Sequence, residues 1–221
     1  MEAIRVAICD DSVYLCEGLS ILLTKEEDIT VCGTVQKAAD CVGLIRREQP
    51  DVLLLDIQME TQTKGLEIID TLKAEHDALK IIMLTNSDAL AHVLWAVISG
   101  ASGYVMKTFP DEELIRTIRD VHCGRYMIDL TLVSGIAKHT ALNNGRRMSF
   151  VSILDTMMQL SKGEFKLLRE IYNGKSYREL ANARVVEIET IRMMSSRILK
   201  KLGAKNMREL IDWIRRLGLF E

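Results

Sequence analysis

The feature that most constrains this chain is an alternation running through residues 1–125, in which short apolar, β-branched runs are each followed by an amphipathic stretch of period near 3.6. Five such pairs occur. The strand-like runs are 4–9, 29–35, 52–55, 80–84 and 103–106, and the helical patterns are 14–24, 38–48, 65–76, 89–99 and 111–122. Each strand run is too uniformly apolar to leave one face wet, as in parallel strands covered on both sides. Pro110, followed by Asp111, Glu112 and Glu113, marks the start of the last helix, because proline suits the first turn and acids suit the positive end of the helix dipole. The pattern predicts a flavodoxin-like α/β fold with a five-stranded parallel sheet in the order 2-1-3-4-5.

After Gly124 the alternation stops. The polar run Thr140 to Arg147, with its Asn-Asn-Gly turn signal, reads as a linker. Beyond it three helix starts use the same chemistry, a short polar residue followed three positions later by glutamate: Ser161 with Glu164, Ser176 with Glu179, and Asn206 with Glu209. Stops follow at Asn173-Gly174, Gly203 and Gly218. An all-α domain of about four helices is expected there. From Leu160 onward the chain carries 14 Lys and Arg against 8 Asp and Glu, and before it 15 against 23, so a net charge of +6 follows one of -8. An acidic front and a basic back suit one module that takes a cation and another that meets a polyanion.

The remaining composition excludes several classes. Five cysteines, odd in number and without a C-x-x-C pair, point away from a disulfide scaffold or a zinc site and toward a reducing compartment. The start Met1-Glu2-Ala3 runs into a strand without a basic leader, and no apolar run approaches the roughly 20 residues of a membrane helix. A cytoplasmic protein without membrane contact is expected.

In a doubly wound sheet ligands bind at the carboxyl ends of the strands. Strand 1 ends in Asp10-Asp11, strand 3 in Asp56 and strand 4 in Thr85, and strand 5 is followed by Lys107. The order 2-1-3-4-5 makes these four strands neighbours. Singly, each residue has an ordinary structural use: Asp10, Asp11 and Ser12 as caps of helix 1, Thr85 in a loop hydrogen bond, Lys107 as a solvated charge. Together, three carboxylates on one rim repel one another unless a hard cation such as Mg2+ neutralises them. Aspartate can attack phosphorus to give an acyl phosphate, and that transfer needs little beyond positioning and charge compensation from Mg2+, a lysine and a hydroxyl.

With these residues assembled, the chain resembles the receiver domain of two-component response regulators over residues 1–125. The motif set is Asp10-Asp11, Asp56 in Leu-Leu-Leu-Asp-Ile-Gln-Met, Leu84-Thr85 and Gly103-Tyr104-Val105-Met106-Lys107. The resemblance implies that Asp56 accepts a phosphoryl group from a histidine kinase and that Asp11, Asp56 and the Gln58 carbonyl ligate Mg2+, with Asp10 helping through water. It also implies that Thr85 and Tyr104 couple the phosphate to the face formed by helix 4, strand 5 and helix 5. After Met59 the usual Pro-Gly-x-Asp-Gly is replaced by Glu60 to Gly65, proline-free and one residue longer, which puts Glu60 near the metal.

Residues 176–203 contain two helical patterns separated by a break at 184–186. In the second, about 188–202, Ile188, Ile191, Ile198 and Leu202 form the buried face, while Glu189, Arg192, Met193, Ser196, Arg197 and Lys200 point outward with Lys201 alongside. A basic outer face on the second helix of such a pair is what phosphate contact and entry into the major groove require, although a solvated helix surface has the same look. Leu160-Ser161 through Glu164, Gly174, Ser176, Glu179-Leu180-Ala181, Thr190-Ile191-Arg192 and Ile198 to Gly203 are similar to the LuxR-type DNA-binding domain, as in NarL/FixJ-like regulators. The resemblance makes Thr190 to Lys201 the recognition helix. Glu187 and Glu189 stand where small or basic residues are usual, and Met193-Met194 where a polar or histidine pair is usual.

The division expected is a receiver at 1–125, a partly helical linker at 126–158, and a four-helix helix-turn-helix domain at 159–221. The function expected is that of a transcription factor whose phosphorylation at Asp56 controls homodimerisation and binding to double-stranded DNA. It is not a conventional enzyme; its chemistry is at most self-catalysed phosphoryl transfer and autodephosphorylation at Asp56. A haloacid-type phosphatase is disfavoured because Gln58 stands where its second carboxylate belongs, and a nucleotide-binding oxidoreductase because no glycine-rich loop follows strand 1. An adaptor whose helical domain binds protein or RNA is the other class, and steeply salt-dependent DNA affinity would count against it.

Overall fold

The computed structural model describes residues 3–61, 64–86, 90–108, 110–125, 127–128, 156–216 and 220. The chain divides into two compact units, residues 1–88 with 99–132, and residues 89–98 with 133–221. The expected linker at 140–147 and the expected stop at Gly218 lie outside the described residues.

In the first unit, strands β1 (Ile4–Cys9), β2 (Ile29–Val35), β3 (Val52–Asp56), β4 (Lys80–Thr85), β5 (Gly103–Met106) and β6 (Met127–Ile128) form one parallel sheet in the order 2-1-3-4-5-6. Five of these strands, and their order, are those read from the apolar runs. The addition is β6, two residues paired with Gly103 and Tyr104 of β5, too short to write a pattern. Strand residues alternate between two buried faces, which is why the runs are apolar throughout. Val6, Ile8, Val52, Leu54, Ile82 and Leu84 face helices α1 (Val13–Thr24) and α5 (Asp111–His122), with Leu19, Leu23, Ile115 and Ile118 closing that layer. Ala7, Cys9, Leu53, Leu55, Ile81 and Met83 are equally buried, on the side of α2 (Ala38–Glu48) and α3 (Lys64–Glu75). The far end of α5 is tied down by Arg119, whose guanidinium donates to Asp28 at 2.6 and 2.8 Å and to Glu26 at 2.7 Å.

Apart from its last residue, helix α4 (Leu90–Ser99) belongs to the second unit. The C-terminal helices are α6 (Lys162–Tyr172), α7 (Tyr177–Arg184), α8 (Ile188–Leu202) and α9 (Met207–Arg216). Two of the three expected pairings are complete capping boxes: the Ser161 and Ser176 hydroxyls accept from the backbone N–H of Glu164 and Glu179, and each glutamate accepts from its serine's N–H at 2.8 Å. At α9 the pairing is displaced by one residue, since Asn206 caps Glu209 N–H at 2.9 Å while Glu209 accepts from Lys205 N–H. Phe165, Leu167, Leu168, Leu180, Ile191, Ile198, Leu210 and Ile214 form the core of these helices. The turn between α7 and α8 passes through Val185 at φ 52°, a left-handed conformation that costs a β-branched residue on the order of 1–2 kcal/mol.

Candidate functional site

Parallel strands bring their carboxyl ends to one rim, and the register sets the depth. Cys9 is level with Leu55, Asp56 with Leu84, and Thr85 with Met106, so Asp10 and Asp56 end at one level, with Thr85 one residue beyond it and Lys107 two. The Lys107 ammonium lies 2.7 Å from Asp10 Oδ2 and 3.1 Å from Asp56 Oδ1. Asp10 Oδ1 also accepts the Ser12 N–H at 3.0 Å, which leaves Ser12 to cap α1 through Leu15 N–H. Asp56 Oδ1 accepts the Gln58 N–H at 3.2 Å. Asp10, Asp56 and Thr85 are buried and Asp11 is exposed at the mouth. Lys107 donates its own N–H to Thr85 O at 2.7 Å, which keeps the ammonium over the rim.

Asp10, Asp11 and Asp56 each offer a carboxylate oxygen, and the three lie within 4.8 Å of one another. Three carboxylates against one ammonium leave an excess of two negative charges. An all-oxygen cluster with that excess fits a hard divalent cation. Burial, partly offset by Lys107 and reinforced by Asp10, raises the Asp56 pKa to about 6. Burial also opposes the charge on Lys107, but Asp10 and Asp56 outweigh it and hold the lysine above its ordinary value.

The loop after Asp56 contains two features that the sequence did not assign. Glu60 turns away from a metal role with one oxygen: its Oε1 accepts the Ala38 N–H at 2.9 Å. The N-cap of α2 is Lys37, which makes no side-chain cap, and Glu60 supplies the missing acceptor to Ala38 from 22 residues away. Met59 packs beside it, its sulfur 3.6 Å from Cys9 Sγ. Gly65 is the second feature. A Cβ at this position would stand 1.7 Å from the Asp56 carbonyl oxygen, and Gly65 N–H donates to Ile57 O at 3.1 Å. The first turn of α3 thus presses on the backbone that carries Asp56. Tyr104, one of the two expected coupling residues, is buried in β5.

The second candidate surface is α8. Ile191, Ser195 and Ile198 are its buried positions. Ile188, expected inside, is 37% exposed; it is the first residue of the helix, directly after the N-cap Glu187, with no preceding turn beneath it. Glu189, Arg192, Met193, Ser196, Arg197 and Lys200 are exposed as expected, and Thr190 is half-buried. Lys201 is not a free cation: its ammonium lies 2.6 Å from Glu164, the capping-box residue of α6. Burial works against the Glu164 charge, but hydrogen bonds from Lys201 and Ser161 outweigh it and hold the carboxyl below its ordinary value.

The profile described as response regulator receiver domain matches residues 6–119, more than half of the chain, and that of the bacterial regulatory proteins of the luxR family matches residues 158–214. The chain belongs to the response regulator family. Its two domains make it a phosphorylation-regulated transcription regulator. Among curated relatives, the oxygen regulatory protein NreC of Staphylococcus aureus strain MRSA252 is 28% identical over 217 residues, covering 98% of this chain and 99% of the relative. A DNA-binding response regulator of the LuxR family from Staphylococcus aureus has a solved structure that is 28% identical, with a TM-score of 0.51, covering 54% of this chain and 98% of that one. The fold is also that of the RcsB response regulator of Salmonella typhimurium, at 21% identity and a TM-score of 0.60, covering 97% of this chain and 99% of that one. No helix among the described residues is long and apolar enough to cross a membrane.

Proposed function

We propose that Asp56 is the phosphoacceptor of this regulator and that its modification controls DNA binding by α8. The observation that carries the reading is the placement of a buried Asp56 carboxylate against Lys107, with Asp10 and Asp11 at the same rim. An Asp56 oxygen attacks the phosphorus of a phosphohistidine on a histidine kinase. The P–N bond breaks, its electron pair returns to the imidazole, and an acyl phosphate remains on Asp56. Asp10, Asp11, Asp56 and the Gln58 carbonyl would hold Mg2+, which supplies charge compensation when bound. Lys107 then counters the charge on the phosphoryl oxygens and Thr85 offers a hydroxyl beside them, with Tyr104 relaying the change through β5. Self-catalysed transfer and later hydrolysis at Asp56 are the chain's only chemistry in this reading.

The division proposed is a receiver at 1–125, a linker at 126–158 and a DNA-binding domain at 159–221; the matches over residues 6–119 and 158–214 support two such domains. Contact with double-stranded DNA falls to Glu189, Thr190, Arg192, Met193, Ser196, Arg197 and Lys200, with Lys201 bracing α8 against α6. The phosphorylated form is a homodimer. Exposed apolar residues on α1 support this, with Val13 at 50%, Tyr14 at 87% and Ile21 at 65%. The site of action is the cytoplasm. Intact-mass measurement after incubation with acetyl phosphate and Mg2+ is expected to show one added phosphoryl group on the wild type and none on Asp56→Asn. An unmodified wild type, or an unchanged adduct on the variant, overturns the reading.

A further inference from the structure

The exposed face of α8 carries an arrangement that phosphate binding alone does not explain. Arg192 Nη1 lies 3.0 Å from Glu189 Oε2, one helical turn away, with the two side chains 62% and 71% exposed. An exposed pair of this kind adds little to stability. On a helix that approaches a polyanion, a carboxylate also repels the phosphates and offsets the charge of the arginine beside it. The pair does have one useful geometry. Glu189 takes a single N–H of the guanidinium, and the 62% exposed arginine keeps further N–H groups of its planar fork for a pair of acceptors such as guanine O6 and N7. The second Glu189 oxygen, Oε1, is left over, and cytosine N4 is the major-groove donor that suits a carboxylate.

Resting on the DNA-binding reading above, we propose that Glu189 is a specificity determinant. It positions Arg192 on a guanine and accepts the N4 amino group of a cytosine beside it. The domain then gains discrimination at this step in exchange for general affinity.

The test uses the full chain, treated with acetyl phosphate and Mg2+, and a pool of duplexes with a randomised core. The wild type is expected to enrich guanine at one position and cytosine next to it. Arg192→Ala should lose the guanine preference, and Glu189→Ala should lose both, roughly tenfold or more per position. Glu189→Ala should also bind non-cognate duplexes more tightly, with a steeper dependence on salt. If Glu189→Ala tightens binding to all duplexes and leaves the base preferences intact, Glu189 is only a solvated charge and the proposal fails while DNA binding stands. If the wild type enriches no sequence, the DNA-binding reading fails and takes this proposal with it.

Discussion

The rim of the sheet and the outer face of α8 are both charged, yet they are held in opposite ways. At the rim, Asp10 and Asp56 are 0% and 2% exposed and are fixed by a lysine, two backbone N–H groups and the sheet register. On α8, Glu189 and Arg192 stand in water and, among the described residues, meet only each other, one turn apart. Buried charges can be placed to within a bond length but cost stability, whereas exposed charges cost almost nothing and set little geometry until a partner desolvates them. In this chain the chemistry is built into the fold, and the recognition is left for the complex.

The largest expected effect comes from filling the space at Gly65. Gly65→Ala places a methyl against the Asp56 carbonyl, so the end of β3 or the start of α3 must shift. A loss of 3 kcal/mol or more is expected, at the upper end of about 1–3 kcal/mol for overpacking, together with loss of phosphoryl uptake. Gly18→Ala is the control, since no atom lies within 4 Å of that Cβ position; alanine there should stabilise α1 by up to about 1 kcal/mol. Urea unfolding of both variants checks the contrast, and equal midpoints would mean that the contact between a Gly65 Cβ and the Asp56 carbonyl is relieved at no cost.

Next comes the cost of the buried carboxylate itself. With its pKa raised to about 6, Asp56 holds its proton more tightly folded than unfolded, where about 3.9 is ordinary. Its stabilising contribution is therefore complete below about pH 4 and is lost as pH rises through about 6. Asp56→Asn should raise stability at pH 7.5 by on the order of 1–2 kcal/mol in metal-free buffer, discounted for partial solvent access, and by almost nothing at pH 4. A gain of the same size at both pH values would mean that the charge is not the cause.

The smallest effect separates structural from recognition charges within the C-terminal helices. Glu164→Gln weakens the link to Lys201 and the cap of α6, and should lower the hydrogen-exchange protection of α6 by about 1 kcal/mol. Because Glu164 is held below its ordinary pKa, that contribution is present at neutral pH and fades as pH falls through the folded value. Arg192→Ala should change protection by less than about 0.5 kcal/mol. If the two variants behave alike, the distinction between the two kinds of charge does not hold here.

What could be read from the sequence follows the same division. Asp10, Asp56, Thr85 and Lys107 were legible because each ends or follows an apolar run, and parallel strands bring such ends together. Gly65 was not, because its need is a close approach to one carbonyl that only the folded loop creates. Its signal was a glycine soon after the strand that carries Asp56. Glu60 does line the same pocket as Asp11 and Asp56, but its capping of Ala38 was not legible, since no local pattern links the two; the clue was a helix N-cap at Lys37 without a capping side chain. On α8 the periodicity placed most outward residues correctly, but at the helix start the cap and turn decide orientation, and there Ile188 was misplaced. Lys201 was likewise counted with the DNA face, although its partner lies 37 residues earlier.

The strand order has a consequence for how the chain is made. Strand β1 precedes both of its neighbours in the sheet, β2 and β3, along the chain. At roughly 5–20 residues per second, the edge that will meet β3 waits several seconds for Val52–Asp56 to be synthesised and released. During that interval Ile4–Cys9 is an apolar strand with an open edge, the kind of segment that mispairs with other chains. The capped helices α6 and α7 carry their start signals within four residues and have no comparable delay. The first unit is therefore most vulnerable in the interval before Asp56 is made.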